Sequence, residues 1–379
     1  MIRRLVAAGA VLVLLGFLLA ASGIVPVKAS SGHWPPTEWL LQFAKRRSIA
    51  TWSLPIEAPR LDDPALVVKG ASQFDVGCRP CHGSPGLYQP RIAWRMLPHP
   101  PDLSVIARKF SAEELFFIVK HGLKLTGMPA WPVSSRDDEV WSMVAFLRVL
   151  PELDIESYRL LSRGETALTI EDGDPQALED LVPPSAPPLA VAESCARCHG
   201  FRGGARGDGA FPRIDGQRRD YLYRALEAYA DRSRPSGNMG PIAAGLEPSA
   251  WVELADYYTA RSDHSGGEAR RAAAIANAAP TAAAREHGAS IAARGVPERK
   301  VPACQECHGP EGPPRNPAYP ILAGQYAEYL ELQLRLFRAG GRGGSSYAHL
   351  MQKVAPRLTD EQIEAVALYY ASLDPPAGR

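Results

Sequence analysis

The chain lacks any excess of charge. Its 379 residues carry 42 lysines and arginines against 41 acidic residues, a net charge of +1, and so lack the basic footprint of a nucleic-acid-binding protein. It lacks strand-like alternation over any useful length, which argues against a sheet-based core and the βαβ setting of thioredoxin-type redox pairs. It lacks spare cysteine. All six cysteines lie in three copies of one spelling, "CRPCH" at 78, "CARCH" at 195 and "CQECH" at 304, so none remains for a structural disulfide elsewhere. Methionine is scarce, six in all, which makes the place of each one informative. What the chain has in quantity is proline and glycine, 35 and 33 residues, as expected of short helices joined by long irregular connections. With 46% hydrophobic and 22% charged residues, it is globular rather than disordered.

A single long apolar run, Leu5 to Val27, follows Arg3 and Arg4 at the N-terminus. Its 23 residues exceed the h-region of a cleaved signal, about 7–15 residues, and suffice to span a bilayer. An uncleaved anchor is the expectation, with Ala20-Ala21-Ser22 as the place a peptidase would cut. The basic residues on either side do not set the orientation. "HWPPTEWLLQFAKRR" follows, mixing Trp34, Trp39 and Phe43 with a basic cluster. It reads equally as a helix at the membrane interface and as one packed on the first domain.

Two stretches read as linkers, the acidic, proline-rich "EDGDPQALEDLVPPSAPP" and the glycine-rich start of "DHSGGEARRAAAIANAAPTAAA", which continues as an alanine-rich helix. They leave three units with one Cys-x-x-Cys-His each. The resulting division is an anchor or signal over 1–30, an interfacial helix and linker over 31–60, a first domain over 61–152, a linker over 153–190, a second domain over 191–262, a linker over 263–283 and a third domain over 284–379. The second and third domains are copies. Pro212, Gly216-Gln217, Tyr221-Leu222 and Arg234 recur 108 residues later as Pro320, Gly324-Gln325, Tyr329-Leu330 and Arg342. Beyond a four-residue insertion, Met239 and Tyr257-Tyr258 recur as Met351 and Tyr369-Tyr370. In the first unit Asp62 or Asp63 should cap a helix leading into the motif. "DDEVWSMVAFLRVL" should close the unit, with Val140, Val144 and Leu147 inward and Pro151 ending it. The fold is predicted all-α.

In a helical turn, Cys at i and i+3 and His at i+4 project to one side. Two sulfurs then meet the rim of a flat macrocycle while the imidazole reaches its centre, which is the attachment pattern of c-type haem. A zinc ribbon would need a second ligand pair nearby, whereas the next cysteine is always over a hundred residues away. Three copies that use every cysteine point to three covalently bound haem c groups, on Cys78, Cys81 and His82, on Cys195, Cys198 and His199, and on Cys304, Cys307 and His308.

Each haem iron then takes a sixth ligand or stays open. Met128, Met239 and Met351 lie 46, 40 and 43 residues after their histidines, and a thioether there favours Fe(II). Met239 and Met351 recur at one register of the repeat, while Met128 rests on spacing and on the proline-stiffened "TGMPAWP". Met96 and Met143 read as core filler. His349 is the competitor of Met351, and His99 and His121 are weaker competitors of Met128. Arg234 and Arg342 precede their methionines and suit a haem propionate, the alternative being solvated surface arginines. Tyr257-Tyr258 and Tyr369-Tyr370 read as packing of the closing helices.

These motifs carry a family resemblance over most of the chain after about residue 60. "GCRPCHG", "PPDLS", "KHGLKLTGMPAWP" and "DDEVWSMVAFLRVL" make the first unit resemble the class I cytochrome c domains of membrane-bound dehydrogenase cytochrome subunits. "SCARCHG", "PRIDGQ", "NMGPIAAGL" and "LADYY", with "CQECHG", "PILAGQ", "LMQKVAPRL" and "ALYY", make units two and three resemble the dihaem cytochrome c4 family. The resemblance implies His–Met ligation by the residues named above, a periplasmic location on a bacterial inner membrane, and electron transfer. Two departures stand out. "PPSAPPLAVAE" precedes Cys195 without the glycine-and-aromatic lead-in helix, so the linker or a neighbouring unit should help to pack that haem. A class I domain ahead of a c4-like pair is also not the plan of a plain c4 protein.

The expected function is that of a membrane-anchored trihaem electron carrier and not an enzyme. It would work between a dehydrogenase or quinol-oxidising complex and a terminal oxidase. The alternatives are a peroxidase-like haem enzyme with one open axial site and a fixed subunit of a respiratory complex.

Overall fold

The computed structural model describes residues 1–25, 28, 30–164, 189–207, 209–260, 282–309, 316–344 and 346–375. Most of both expected linkers, and the alanine-rich stretch as far as 281, lie outside the described residues. Among those described there is no strand, only the isolated bridges Ser84–Leu87 and Val296–Val301.

The apolar run forms α1 (Ile2–Ala21), exposed along its whole length. Its 20 residues rise about 30 Å, the thickness of a bilayer's hydrocarbon core. It is one helix long and apolar enough to cross a membrane, and a signal sequence has the same character. Next, α2 (Pro35–Trp52) divides between its two readings. At its C-terminal end, Ile49 is buried and the helix packs on the first unit, whereas Trp34, Trp39 and Phe43 are exposed, with the Trp39 and Phe43 rings stacked 5.6 Å apart.

The first unit consists of α3 (Pro64–Gly77), α4 (Ala112–His121), α5 (Asp137–Val149) and α6 (Ile155–Arg163). Asp63 is the cap of α3, accepting the Ala65 N–H at 2.9 Å, and a Ser111–Glu114 capping box starts α4. The expected Val140, Val144 and Leu147 are buried with Phe74, Met143 and Phe146. Gly70 marks the crossing of α3 over α5, because a Cβ there would lie 2.1 Å from the Ser142 carbonyl oxygen. The opposite face of α3 is also covered. Val68, Ser72 and Asp75, spaced i, i+4, i+7, meet the second unit at Gly207, Arg206 and Arg197.

The second unit comprises α7 (Leu189–His199), α8 (Arg219–Ala230), α9 (Met239–Ala244) and α10 (Pro248–Thr259). Its α7 runs straight into the motif, and α3 and α6 of the first unit pack against it. A neighbouring unit thus packs against the helix that enters the second motif. The third unit has its own lead-in helix, α11 (Ala282–Arg294), followed by α12 (Ala327–Arg338), α13 (Ala348–Val354) and α14 (Asp360–Ser372). There Gly288 lets α11 touch α14, with a Cβ position 2.0 Å from the Ala365 carbonyl oxygen. Tyr258 and Tyr370 are buried in their closing helices, as the repeat suggests.

The duplicated units face each other across an approximate two-fold axis. Gln217 donates to the Ile321 carbonyl at 3.0 Å and accepts the Ile321 N–H at 2.7 Å. Its counterpart Gln325 donates to the Arg213 carbonyl at 2.9 Å and accepts the Arg213 N–H at 3.0 Å. Each glutamine thus completes the backbone of the other copy.

Candidate functional site

The motif turns are helical. In the first unit the Cys81 and His82 N–H groups both donate to the Cys78 carbonyl at 3.0 Å, and Cys307 and His308 repeat this on Cys304. The turn therefore sets the cysteines and histidine on one side, as the spacing predicts. Each histidine ring is then held to a backbone carbonyl. Nδ1 lies 2.8 Å from the Pro101 carbonyl in His82, 2.9 Å from Pro212 in His199 and 3.0 Å from Pro320 in His308. A carbonyl only accepts, so Nδ1 carries the proton and Nε2 keeps its lone pair. Burial lowers the pKa of His82 and His199, which favours the neutral imidazole that a metal needs.

The cysteines are not arranged for thiolate chemistry. Burial, with Cys81 adding to it, pushes the Cys78 thiol up to about 12, and burial beside Cys198 does the same for Cys195. Burial likewise raises Cys198 and Cys304 to about 11. Such thiols are poor redox nucleophiles. Among the described residues no three His, Cys, Asp or Glu side chains cluster as a metal site. A neutral thioether to a macrocycle suits these buried sulfurs.

One cavity of about 810 Å³ serves the second and third units together. It brings His199 and Met239 into the same lining as His308 and Met351. Arg234 and Arg342 sit between them, 6% and 9% exposed, which removes the surface-arginine reading. Arg234 donates to the Tyr329 hydroxyl at 3.0 Å and to Tyr221 at 3.4 Å, and Arg342 donates to Tyr221 at 3.3 Å. Among the described residues neither guanidinium has a carboxylate partner. Arg342 Nε and Asn238 Oδ1 are buried in the lining without a hydrogen-bond partner. Two buried cations that among the described residues meet phenol hydroxyls and aromatic rings but no carboxylate fit a cavity that receives an anionic group, as the propionates of a haem are.

For the first unit the contacts place Met128 relative to α4 rather than to His82. Leu123 N–H donates to the Met128 carbonyl at 3.2 Å, and Met128 N–H donates to Thr126 Oγ1 at 3.1 Å. Gly122, at a φ of +62°, lies against Pro129. Met143 is core, 1% exposed, but Met96 is not. Its Cε stands 2.0 Å from where a Gly127 Cβ would be, so Met96 is half-buried on the Met128 loop and packs there because Gly127 leaves room. The competing histidines lie elsewhere. His121 is exposed beside Phe117, His99 is exposed beside Trp94, and His349 is exposed with Nδ1 2.9 Å from the Ser346 carbonyl. Met351, two residues on, lines the cavity.

Sequence reasoning gave no role to two buried carboxylates. Asp75 on α3 accepts from Tyr158 at 2.9 Å and meets Arg79 at 2.8 Å, Arg163 at 3.3 Å and Arg197 at 3.0 Å. Arg79 and Arg197 are inner residues of the first and second motifs, so one carboxylate joins both. Burial alone would raise its pKa, but Arg163, the Tyr158 hydroxyl, Arg79 and Arg197 together hold it below the ordinary value. Glu139 on α5, 2% exposed, joins the same two units at their methionine loops. An acid within an apolar helix carries no sequence signal of its partners. Gln217 and Gln325 were visible as repeated letters, and only their pairing was hidden.

An all-α chain of units built around Cys-x-x-Cys-His, each with a carbonyl-tethered histidine, defines a cytochrome c architecture. The comparisons agree. Residues 65–147 match the family described as cytochrome c oxidase, cbb3-type, subunit III, and residues 285–374 match the cytochrome c family. A thiosulfate dehydrogenase electron acceptor from Thiomonas intermedia is 36% identical over 188 residues, 50% of this chain and 81% of that one. A cytochrome c4 from Thiocapsa roseopersicina is 32% identical over 213 residues, 55% of this chain and 98% of that one. A solved cytochrome c4 from Acidithiobacillus ferrooxidans is 33% identical, with a TM-score of 0.39 over 47% of this chain and 98% of that one. The chain belongs to the c-type cytochromes and carries a cytochrome c4-like pair. Covalent haem c and electron transfer come with that membership.

Proposed function

We propose that the chain is a trihaem electron carrier, held by α1 to a bacterial inner membrane with its haem domains in the periplasm. The observation that carries this reading is the thrice-repeated histidine whose Nδ1 donates to a proline carbonyl, the tautomer in which Nε2 carries the lone pair. Cys78 and Cys81, Cys195 and Cys198, and Cys304 and Cys307 would hold the three macrocycles. His82, His199 and His308 would be the proximal ligands, and Met128, Met239 and Met351 the sixth ligands. Arg234 and Arg342 would neutralise propionates in the shared cavity. Haem c, when bound, supplies a one-electron Fe(III)/Fe(II) couple that a thioether ligand sets high. The chain's own residues orient the imidazoles, exclude water and compensate buried charge.

The relatives named as thiosulfate dehydrogenase electron acceptors favour a dehydrogenase as donor over a quinol-oxidising complex. The resemblance of 65–147 to an oxidase subunit favours a terminal oxidase as acceptor. The deciding experiment is the count of covalent haem per polypeptide, by intact mass after denaturation, in protein made with a c-type maturation system. Three are expected, and two or fewer overturn the trihaem reading. Carbon monoxide binding to the reduced wild type would turn the reading toward a haem enzyme with an open site.

A further inference from the structure

The second unit does not hold its methionine loop alone, because the first unit also binds it. Ser236 Oγ accepts the Met239 N–H at 3.0 Å and the Asn238 N–H at 3.2 Å, so this hydroxyl fixes the start of α9. With both lone pairs used, its proton remains, and it goes to Glu139 Oε1 of the first unit at 2.6 Å. The adjoining Gly237 N–H donates to Glu139 Oε2 at 2.7 Å. The same Oε2 receives Trp131 Nε1–H at 3.1 Å, and Arg136 Nη2 lies 3.1 Å from Oε1. Gly237 is required by this approach, because a Cβ there would lie 2.3 Å from Trp131 Nε1. Arg136 also donates to the Pro235 carbonyl at 2.8 Å, closing the loop from the other side.

Among its described residues the third unit has no such arrangement. At the matching register, Ser236 and Gly237 become Ala348 and His349. Met351 there lies inside α13, secured by the unit's own cluster of Phe337, Ala348 and Ala355.

We propose that Glu139 of the first unit is a positioning residue for the sixth ligand of the second haem, acting through Ser236 and Gly237 on the Met239 loop. This rests on Met239 being that ligand. A carboxylate presents acceptors to four donors at once, which glutamine cannot do, since its amide nitrogen would face a donor. Loss of the anchor frees residues 236–239, and the thioether leaves the iron for part or all of the time.

The test uses the full chain with Glu139→Gln, Ser236→Ala and Met239→Ala. It reads haem count, the ferric methionine–iron charge-transfer band, carbon monoxide binding by the reduced protein, and potentials by redox titration. The expected result for Glu139→Gln and Ser236→Ala is full haem loading with a weakened band from one haem. That haem should have a lowered potential and newly bind carbon monoxide, while the others are unchanged. The Glu139→Gln/Met239→Ala double variant should lose no more than Met239→Ala alone. If Met239→Ala removes one haem's band while the other two variants keep every band and potential, the positioning role is wrong and the ligand assignment stands. If Met239→Ala changes nothing, the ligand assignment itself is wrong. Should Glu139→Gln fail to accumulate, Ser236→Ala tests the same link from within the second unit.

Discussion

Two copies of one sequence pattern have solved the same packing problem differently. The third unit packs its own lead-in helix, with α11 crossing α14 at Gly288 and a core running from Ile291 and Val296 to Ile363 and Tyr370. Among its described residues the second has a core around Leu222, Leu254 and Tyr258, and its α7 leans on α3 and α6 of the first unit. A repeat can therefore rest its motif helix on a neighbouring unit that presents a suitable face. The cost is independence, because the neighbour then also enters the methionine loop.

The largest expected effect follows directly. Residues 282–375 expressed alone with haem maturation should fold cooperatively, whereas residues 189–260 alone should not, as thermal melting followed by circular dichroism would report. Equal stability of the two fragments would dissolve the contrast. Next, Gly288→Ala should destabilise the third unit by about 2 kcal/mol, because the new methyl meets a backbone carbonyl that cannot rotate away. Chemical denaturation with a unit-specific probe should show the second unit unaffected.

A pair of substitutions sharpens the symmetric part of the comparison. Gln217→Ala and Gln325→Ala each remove two hydrogen bonds to the other copy's backbone and should cost alike, about 2 kcal/mol. Unequal losses in denaturant titrations would mean that the two-fold pairing is only nominal. A smaller effect is expected from acid. The Asp75 carboxyl is held below its ordinary value of about 3.9, so its contribution is full above that value and is lost as pH falls through the lower folded-state pKa. The first and second units should then separate while the second and third stay paired. Hydrogen exchange on α3 should show this, and protection of α3 retained in acid would remove Asp75 from the junction. Smallest of all, His349→Ala should leave the haem spectrum as it is, whereas Met351→Ala should abolish one methionine band.

The sequence carried the helical class, the three motifs, the duplication and the caps, because each depends on neighbours within a turn or two. The cap of α3, for instance, is legible as Asp62 or Asp63 from Pro64 and the apolar run behind it, and the fold uses Asp63. Met143 was legible as core from its place on a helix face. Met96 is a packing residue as well, but against Gly127 on the Met128 loop rather than in the core, a place the sequence does not show because a methionine in a loop has no periodicity.

The spacing of Cys-x-x-Cys-His fixes how three side chains leave a helical turn, and it does so whatever surrounds the turn. That local geometry is what the sequence determined about this protein, together with the register of its repeat. The tertiary structure decided which proline carbonyl orients each imidazole, that Arg234 and Arg342 share one cavity, and that Asp75 and Glu139 bind the first unit to the second. The contacts between units join residues about a hundred positions apart, as in Glu139 with Gly237. Buried hydrogen bonds of that kind are specified by the packing of whole helices, and no local pattern of letters records them.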